Sequence, residues 1–139
     1  MIALHEAGHL PVVDPTTADG VFSLAWLVIA LPLAGAAILL IGGAIAPKRF
    51  AAFGHLLGTI LPIGSFAISL AMFLSLMGRD EGDRQVVQHL YDWIDIGGFH
   101  AGMDLLYDPL TALFLLLITG VGSLIHVYSI GYMEHDPRR

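Results

Sequence analysis

The chain has 139 residues, of which 56% are hydrophobic and only 13% charged, against about 25% charged in a typical soluble domain. Its formal net charge of −6 and its lack of cysteine exclude a basic nucleic-acid surface, thiolate catalysis, disulfides and Cys-ligated metal clusters. A mean hydropathy of +0.77 makes lipid the surrounding solvent.

The first 22 residues carry acidic side chains and no Lys or Arg, unlike the basic start of a secretory signal. They are expected outside the cell. Within them, His5, Glu6, Ala7, Gly8 and His9 spell H-E-x-x-H, in which two His one helical turn apart bind zinc and Glu serves as general base. That chemistry needs a firm helix, whereas Gly8 and Pro11 leave at most a frayed turn. A disordered or loosely docked segment without metal is the expectation.

No Asp, Glu, Lys or Arg occurs between Asp19 and Lys48, between Arg49 and Arg79, or between Asp108 and Glu134. Crossing about 30 Å of hydrocarbon takes about 20 apolar residues as a helix. Backbone groups in lipid must also be paired within the segment, which excludes open sheets. Transmembrane helices are therefore predicted at 23–46, 51–77 and 109–132, with a cytoplasmic turn at 47–50 and a cytoplasmic tail at 133–139. The fold class is an all-α membrane protein with three transmembrane helices and a short β-hairpin between the second and third.

Gly54 and Gly58 form a GxxxG pair, and Gly35, Ala36, Gly42, Gly43, Gly120 and Gly122 add small residues to the spans. They either seat neighbouring helices closely or reflect the general frequency of glycine in membrane helices. Pro32 and Pro62 each remove one helical hydrogen bond inside a span. His55, near the end of the second span, reads as an interfacial residue.

Between the second and third spans, 78–108 is long enough for structure of its own. Val86–Ile96 and Phe99–Tyr107 mix β-branched and aromatic residues with polar ones around Gly97–Gly98, a two-residue hairpin turn. A short exterior β-hairpin is predicted. Tyr91, Trp93 and Tyr107 are expected at the membrane–water boundary, and His89 and His100 have no evident partner.

Asp108 is placed to cap the third helix and Pro109 suits its first position. Farther along, Thr119, Ser123 and His126 share a stripe at steps of four and three. His126 either hydrogen-bonds to another helix or passes protons; Thr119, Ser123 and His126 are the candidate proton-path residues. Lys48, Arg49, Arg138 and Arg139 place four basic residues on one side of the membrane against Arg79 and Arg84 on the other. The side with four is expected to be cytoplasmic, which puts the N-terminus outside.

Leu106-Tyr107-Asp108-Pro109-Leu110-Thr111-Ala112-Leu113, then Thr119-Gly120-Val121-Gly122-Ser123-Leu124-Ile125-His126-Val127-Tyr128-Ser129-Ile130-Gly131-Tyr132-Met133 and His135-Asp136-Pro137, with Tyr91-Asp92-Trp93 upstream, resemble the antiporter-like membrane subunit, subunit L, of bacterial proton-pumping NADH:quinone oxidoreductase (respiratory complex I). The resemblance covers Ser23–Pro137. It implies the first part of an antiporter-like helical bundle in a bacterial inner membrane, partnered by other membrane-arm subunits and by lipid and not an independent monomer. NADH, FMN, iron–sulfur clusters and quinone are implied in other subunits, with no cofactor in this chain. The family's proton-carrying Glu and Lys lie on later helices, so this segment alone is expected to be inactive, as the start of a longer subunit or one piece of a split one. Other readings of the pattern are the large subunit of a multi-subunit sodium/proton antiporter and a small membrane assembly factor.

Overall fold

The computed structural model describes residues 15–133, and the H-E-x-x-H segment at His5–His9 lies outside them. In chain order the elements are β1 (Thr16–Thr17), a 3-10 turn (Gly20–Leu24), α1 (Ala25–Ile45), α2 (Pro47–Met77), a second 3-10 turn (Glu81–Asp83), β2 (Val86–Ile96), β3 (Phe99–Tyr107) and α3 (Pro109–Tyr132). Three helical stretches, Gly20–Ile45, Phe53–Met77 and Pro109–Tyr132, are long and apolar enough to cross a bilayer.

α2 packs against both α1 and α3. Its packing face is small and partly polar: Gly54, Thr59, Ser65, Ser69, Met72 and Leu76 are buried. These positions recur every three to six residues, as one helical face requires. The glycines of that face seat side chains from α1. Leu39 lies against both Gly54 and Gly58, and Leu61 lies against Gly35, so a Cβ at Gly54 would approach Leu39 to 3.1 Å. On the other side, the Phe66 ring fits against Gly120 of α3. The small residues therefore act as close-packing sites. The serine and threonine hydroxyls bond back along their own helices, as Ser69 does to the Ser65 carbonyl at 2.9 Å, so they can be buried without a cross-helix partner.

Most large apolar side chains point outward, with Leu33, Leu40 and Ile45 each more than 60% exposed. Three helices clothed this way have their apolar solvent outside, as in a membrane.

The connection between α1 and α2 is shorter than the sequence suggested. Pro47–Phe50, expected as a turn, forms the first turn of α2, because Pro47 occupies the first helical position, where its missing N–H costs nothing. Ala46 alone breaks the helix, and its N–H bonds to the Gly42 carbonyl at 2.8 Å. The Phe50 ring then lies directly over Gly42, where a Cβ would stand 2.1 Å from it.

At the opposite end, a three-stranded sheet in the order β1–β2–β3 meets the helices at its base, through Val86 and Tyr107. β2 and β3 are antiparallel around Gly97 and Gly98, whose φ angles of 58° and 89° suit a tight hairpin turn. Leu90 and Trp93 fall at the two register shifts of β2, which is why 11 residues pair with 9. Strand β1 was not foreseen. Thr16 and Thr17 pair in parallel with Val86 and Val87, anchored by Thr16 N–H to the Gln85 carbonyl at 2.8 Å and Ala18 N–H to the Val87 carbonyl at 2.9 Å.

The buried core sits beneath this sheet. Phe22, Ala25 and Val28 of the first helical stretch meet Met72 and Leu76 of α2, Val86, Tyr107 and Ala112. Tyr107, expected at the membrane boundary, is 3% exposed and packs against Phe22 with ring centroids 5.6 Å apart. It closes the end of β3 onto the bundle, whereas Tyr91 and Trp93 remain exposed.

Candidate functional site

The spans bring two ionisable side chains to one place. His55 of α2 and His126 of α3 line a single cleft of about 600 Å³, shared with Leu39, Gly43, Pro47, Phe50, Gly54, Gly58, Thr59, Ser129, Ile130 and Met133. A smaller space of about 200 Å³, bordered by Pro32, Pro62, Gly35 and Leu61, also touches His126. His126 thus stands where two clefts meet, at the end of the bundle away from the sheet.

The His126 Nδ1 lies 2.7 Å from the Gly122 carbonyl, one turn back on α3. A carbonyl only accepts, so Nδ1 carries the proton, and a neutral imidazole presents Nε2 as an acceptor. That hydrogen bond lies within α3 and leaves Nε2 for a partner in the cleft. Thr119 and Ser123 continue the stripe: Thr119 Oγ1 donates to the Leu115 carbonyl at 2.6 Å and Ser123 Oγ to the Thr119 carbonyl at 2.7 Å. Ser123 is buried, Thr119 half-buried and His126 exposed, so the stripe runs from helix packing into the cleft.

His55 was read as an interfacial residue, yet it shares the cleft. The signal for it was present: Gly54, Gly58 and Thr59 flank His55 at helical spacing, so a side chain among them lies beside a wall of small residues. The Thr59 hydroxyl donates to the His55 carbonyl at 2.8 Å.

At the sheet end, the Asp108 Oδ1 accepts from the Thr111 N–H at 2.7 Å and Pro109 takes the first helical position of α3. That backbone hydrogen bond holds the Asp108 carboxyl below its ordinary value. Burial pushes the Tyr107 hydroxyl up to about 12, and that hydroxyl has no hydrogen-bond partner among the described residues. The two hairpin histidines do find partners. His89 Nδ1 lies 2.7 Å from Asp104 and its Nε2 3.4 Å from Asp92, while His100 Nδ1 lies 2.8 Å from Asp95. The register of β2 against β3 creates the pairs of His89 with Asp104 and of His100 with Asp95, which local spacing could not announce.

Comparison with known proteins extends the geometry. A family model described as "NADH-Ubiquinone oxidoreductase (complex I), chain 5 N-terminus" matches residues 93–139. NADH-quinone oxidoreductase subunit L of Mycobacterium tuberculosis (strain CDC 1551 / Oshkosh) is 47% identical over 114 residues, covering 82% of this chain and 17% of that protein. The protein of the same name from Neisseria meningitidis serogroup B is 36% identical over 81% of this chain and 16% of its own length. NAD(P)H-quinone oxidoreductase chain 5 of a Picosynechococcus strain is 30% identical over 86% of this chain and 18% of its own. The chain thus spans about a sixth of the length of these relatives. With three apolar helices beside these relatives, the chain is a multi-pass membrane protein that resembles NADH-quinone oxidoreductase subunit L over four-fifths of its length and matches the N-terminus of complex I chain 5 at residues 93–139.

Proposed function

We propose that the chain forms the first part of a proton-translocating membrane-arm subunit of NADH:quinone oxidoreductase, scaffolding a proton channel that couples NADH oxidation and quinone reduction to proton pumping. The observation that carries this reading is the 47% identity to subunit L over 114 residues. Catalysis belongs to the assembled enzyme. NADH, FMN, iron–sulfur clusters and quinone are assigned to its other subunits.

In this reading the three helices span a bacterial plasma membrane with the N-terminus outside. Lys48 and Arg49 then lie at the cytoplasmic face, as the enrichment of basic residues there favours. The hairpin lies outside and ties the chain to neighbouring membrane-arm subunits through exposed Tyr91, Trp93, Ile96 and Phe99.

His126, Ser123 and Thr119 border the proton route. Neutral His126 takes a proton at Nε2 from the cleft while Nδ1 stays fixed on the Gly122 carbonyl, and the imidazolium returns it as the local field changes. Moving one charge through the membrane involves about 2.3 kcal/mol per 100 mV, so the route needs polar lining sealed from lipid. The hydroxyls of Thr119 and Ser123 offer oxygen lone pairs beside it.

Two measurements test the proposal. Purification under mild detergent with mass spectrometry of the companions must return redox subunits; other antiporter subunits, or none, reject it. His126→Gln, placed in the complete subunit, must lower proton pumping per NADH oxidised, and unchanged pumping removes His126 from the route.

A further inference from the structure

Pro62 lies inside α2 and has no N–H, so the Gly58 carbonyl four residues back lacks its ordinary helical donor. A backbone acceptor opened in this way inside a membrane is taken up by a neighbouring helix, by a Ser or Thr side chain or by an ordered water. Gly58 and Pro62 both border the smaller of the two spaces at His126. Among the described residues, the other side chains around that space belong to proline, glycine, alanine and leucine, and none of these carries a donor. The hydroxyl of the adjacent Thr59 is spent on the His55 carbonyl.

Helix register brings His126 to the same height. α2 ends and α3 begins at the sheet, so the two run antiparallel, and Phe66 lies against Gly120. Six residues farther from the sheet stand Ile60 on α2 and His126 on α3, which puts His126 between the heights of Gly58 and Pro62 at an equal rise per residue. The two spaces agree with this, because Leu39, Gly58 and His126 border both of them and so form the neck that joins one to the other. Leu39 offers only hydrocarbon. The other two offer acceptors: His126 Nδ1 is committed to the Gly122 carbonyl, which leaves a lone pair on Nε2. Two acceptors cannot bond to each other, whereas a small molecule with two donor hydrogens satisfies both.

We propose that this neck binds a water molecule that donates one hydrogen to His126 Nε2 and the other to the Gly58 carbonyl, and that Pro62 creates the site by withholding its N–H. Buried waters make two to four hydrogen bonds to groups that lack partners, and this one keeps both oxygen lone pairs for further donors. Its part in proton transfer rests on the proton route proposed above. A proton reaching the water oxygen from the open cleft is matched by the O–H bond aimed at Nε2, which breaks as the Nε2–H bond forms, and water is restored.

The test uses the 139-residue chain, isotope-labelled at its histidine nitrogens, in lipid bilayers. Solid-state NMR measures polarisation transfer from water protons to the ring nitrogens, and His126→Gln assigns the signal. The expected result is transfer to His126 Nε2 in the unaltered chain and its loss in Pro62→Ala, where the restored N–H takes up the Gly58 carbonyl. Alanine suits a helix interior better than proline, so this variant folds. His55, which borders only the open cleft of the two, keeps its transfer in both proteins. Absence of transfer to His126 in the unaltered chain overturns the proposal, as does transfer that survives Pro62→Ala, or a loss that His55 shares. The proton route is judged separately. Unchanged pumping in His126→Gln, with transfer abolished by Pro62→Ala, removes the route and upholds the water. Lowered pumping, with transfer that survives Pro62→Ala, upholds the route and removes the water.

Discussion

Gln88 of β2 accepts a hydrogen bond from the Trp26 N–H at 3.1 Å through its Oε1 and donates through Nε2 to the Ser23 carbonyl at 2.6 Å. Leu24, at the N-terminus of α1, has no capping side chain of its own, so a strand 62 residues away performs that task. Gln88→Ala is expected to cost about 1 kcal/mol, as for the loss of an N-cap, and Gln88→Glu to retain the accepting half. Thermal unfolding in detergent of the three proteins gives the comparison, and an unchanged midpoint for Gln88→Ala contradicts it.

Arg79 fastens the same end. Its guanidinium pairs with Asp19, donates to Thr16 Oγ1 at 3.1 Å and lies 4.5 Å above the Phe22 ring. Asp19 is largely exposed, so the ion pair contributes less than about 1 kcal/mol and the cation–π contact about 0.5–1 kcal/mol. Arg79→Gln is expected to lose about 1–2 kcal/mol in total, and Arg79→Lys less than that. The ion-pair part shrinks in high salt, so the stability difference between the unaltered chain and Arg79→Gln must narrow as salt is added.

Tyr107 carries a buried hydroxyl without a partner among the described residues, and its folded value of about 12 stands above the ordinary 10.0. The neutral phenol is the form that fits. Stability from this group is therefore complete below pH 10 and lost as pH rises from about 10 to 12. Tyr107→Phe removes the unsatisfied group at little change in shape, so unfolding near neutral pH is expected unchanged or up to about 1 kcal/mol more stable. The alkaline decline in melting temperature must also become shallower, and equal slopes would exclude the effect.

Asp108 works with the opposite sign. Its carboxylate is held below the ordinary 3.8 by the Thr111 N–H, so its contribution is present above that value and fades as pH falls through the lowered one. Asp108→Ala is expected to cost about 1 kcal/mol and Asp108→Asn much less, since Asn also caps. Hydrogen exchange at the Thr111 amide should quicken in Asp108→Ala at neutral pH, and an unchanged rate would exclude the cap.

Gly42 and Phe50 make the tight α1–α2 turn. Gly42→Ala would place a Cβ 2.1 Å from the ring, forcing a shift that costs about 1–3 kcal/mol, while Gly43→Ala meets open space and is expected neutral or slightly stabilising. Phe50→Ala in the Gly42→Ala background must recover part of the loss. Additive costs in this double-mutant cycle would show that the two residues do not interact.

The legible part of the fold was that which a short window encodes. Charge-free runs at Gly20–Pro47, Phe50–Gly78 and Pro109–Met133 mark helices because a bilayer penalises ionised groups, and Gly97–Gly98 marks a turn because glycine adopts positive φ at no steric cost. The cap at Asp108 is equally local. Strand β1 was not legible: two threonines carry no period, and their pairing with Val86 and Val87 depends on how α1 and α2 return the chain to the same end. The burial of Tyr107 was not legible, because an aromatic ring beside a span reads the same whether it faces headgroups or the Phe22 ring. In the cleft, His126 stood out as an ionisable group in an apolar run, but its meeting with His55 required three helices in register.

Thr16 and Val86 close a ring of chain that contains all of α1 and α2. Neither helix can turn end for end by itself until the backbone bonds of β1 to β2 have parted. The two are thereby committed as a couple, and an insertion apparatus that releases them one after the other must still wait for synthesis to reach Val87 before the first is locked.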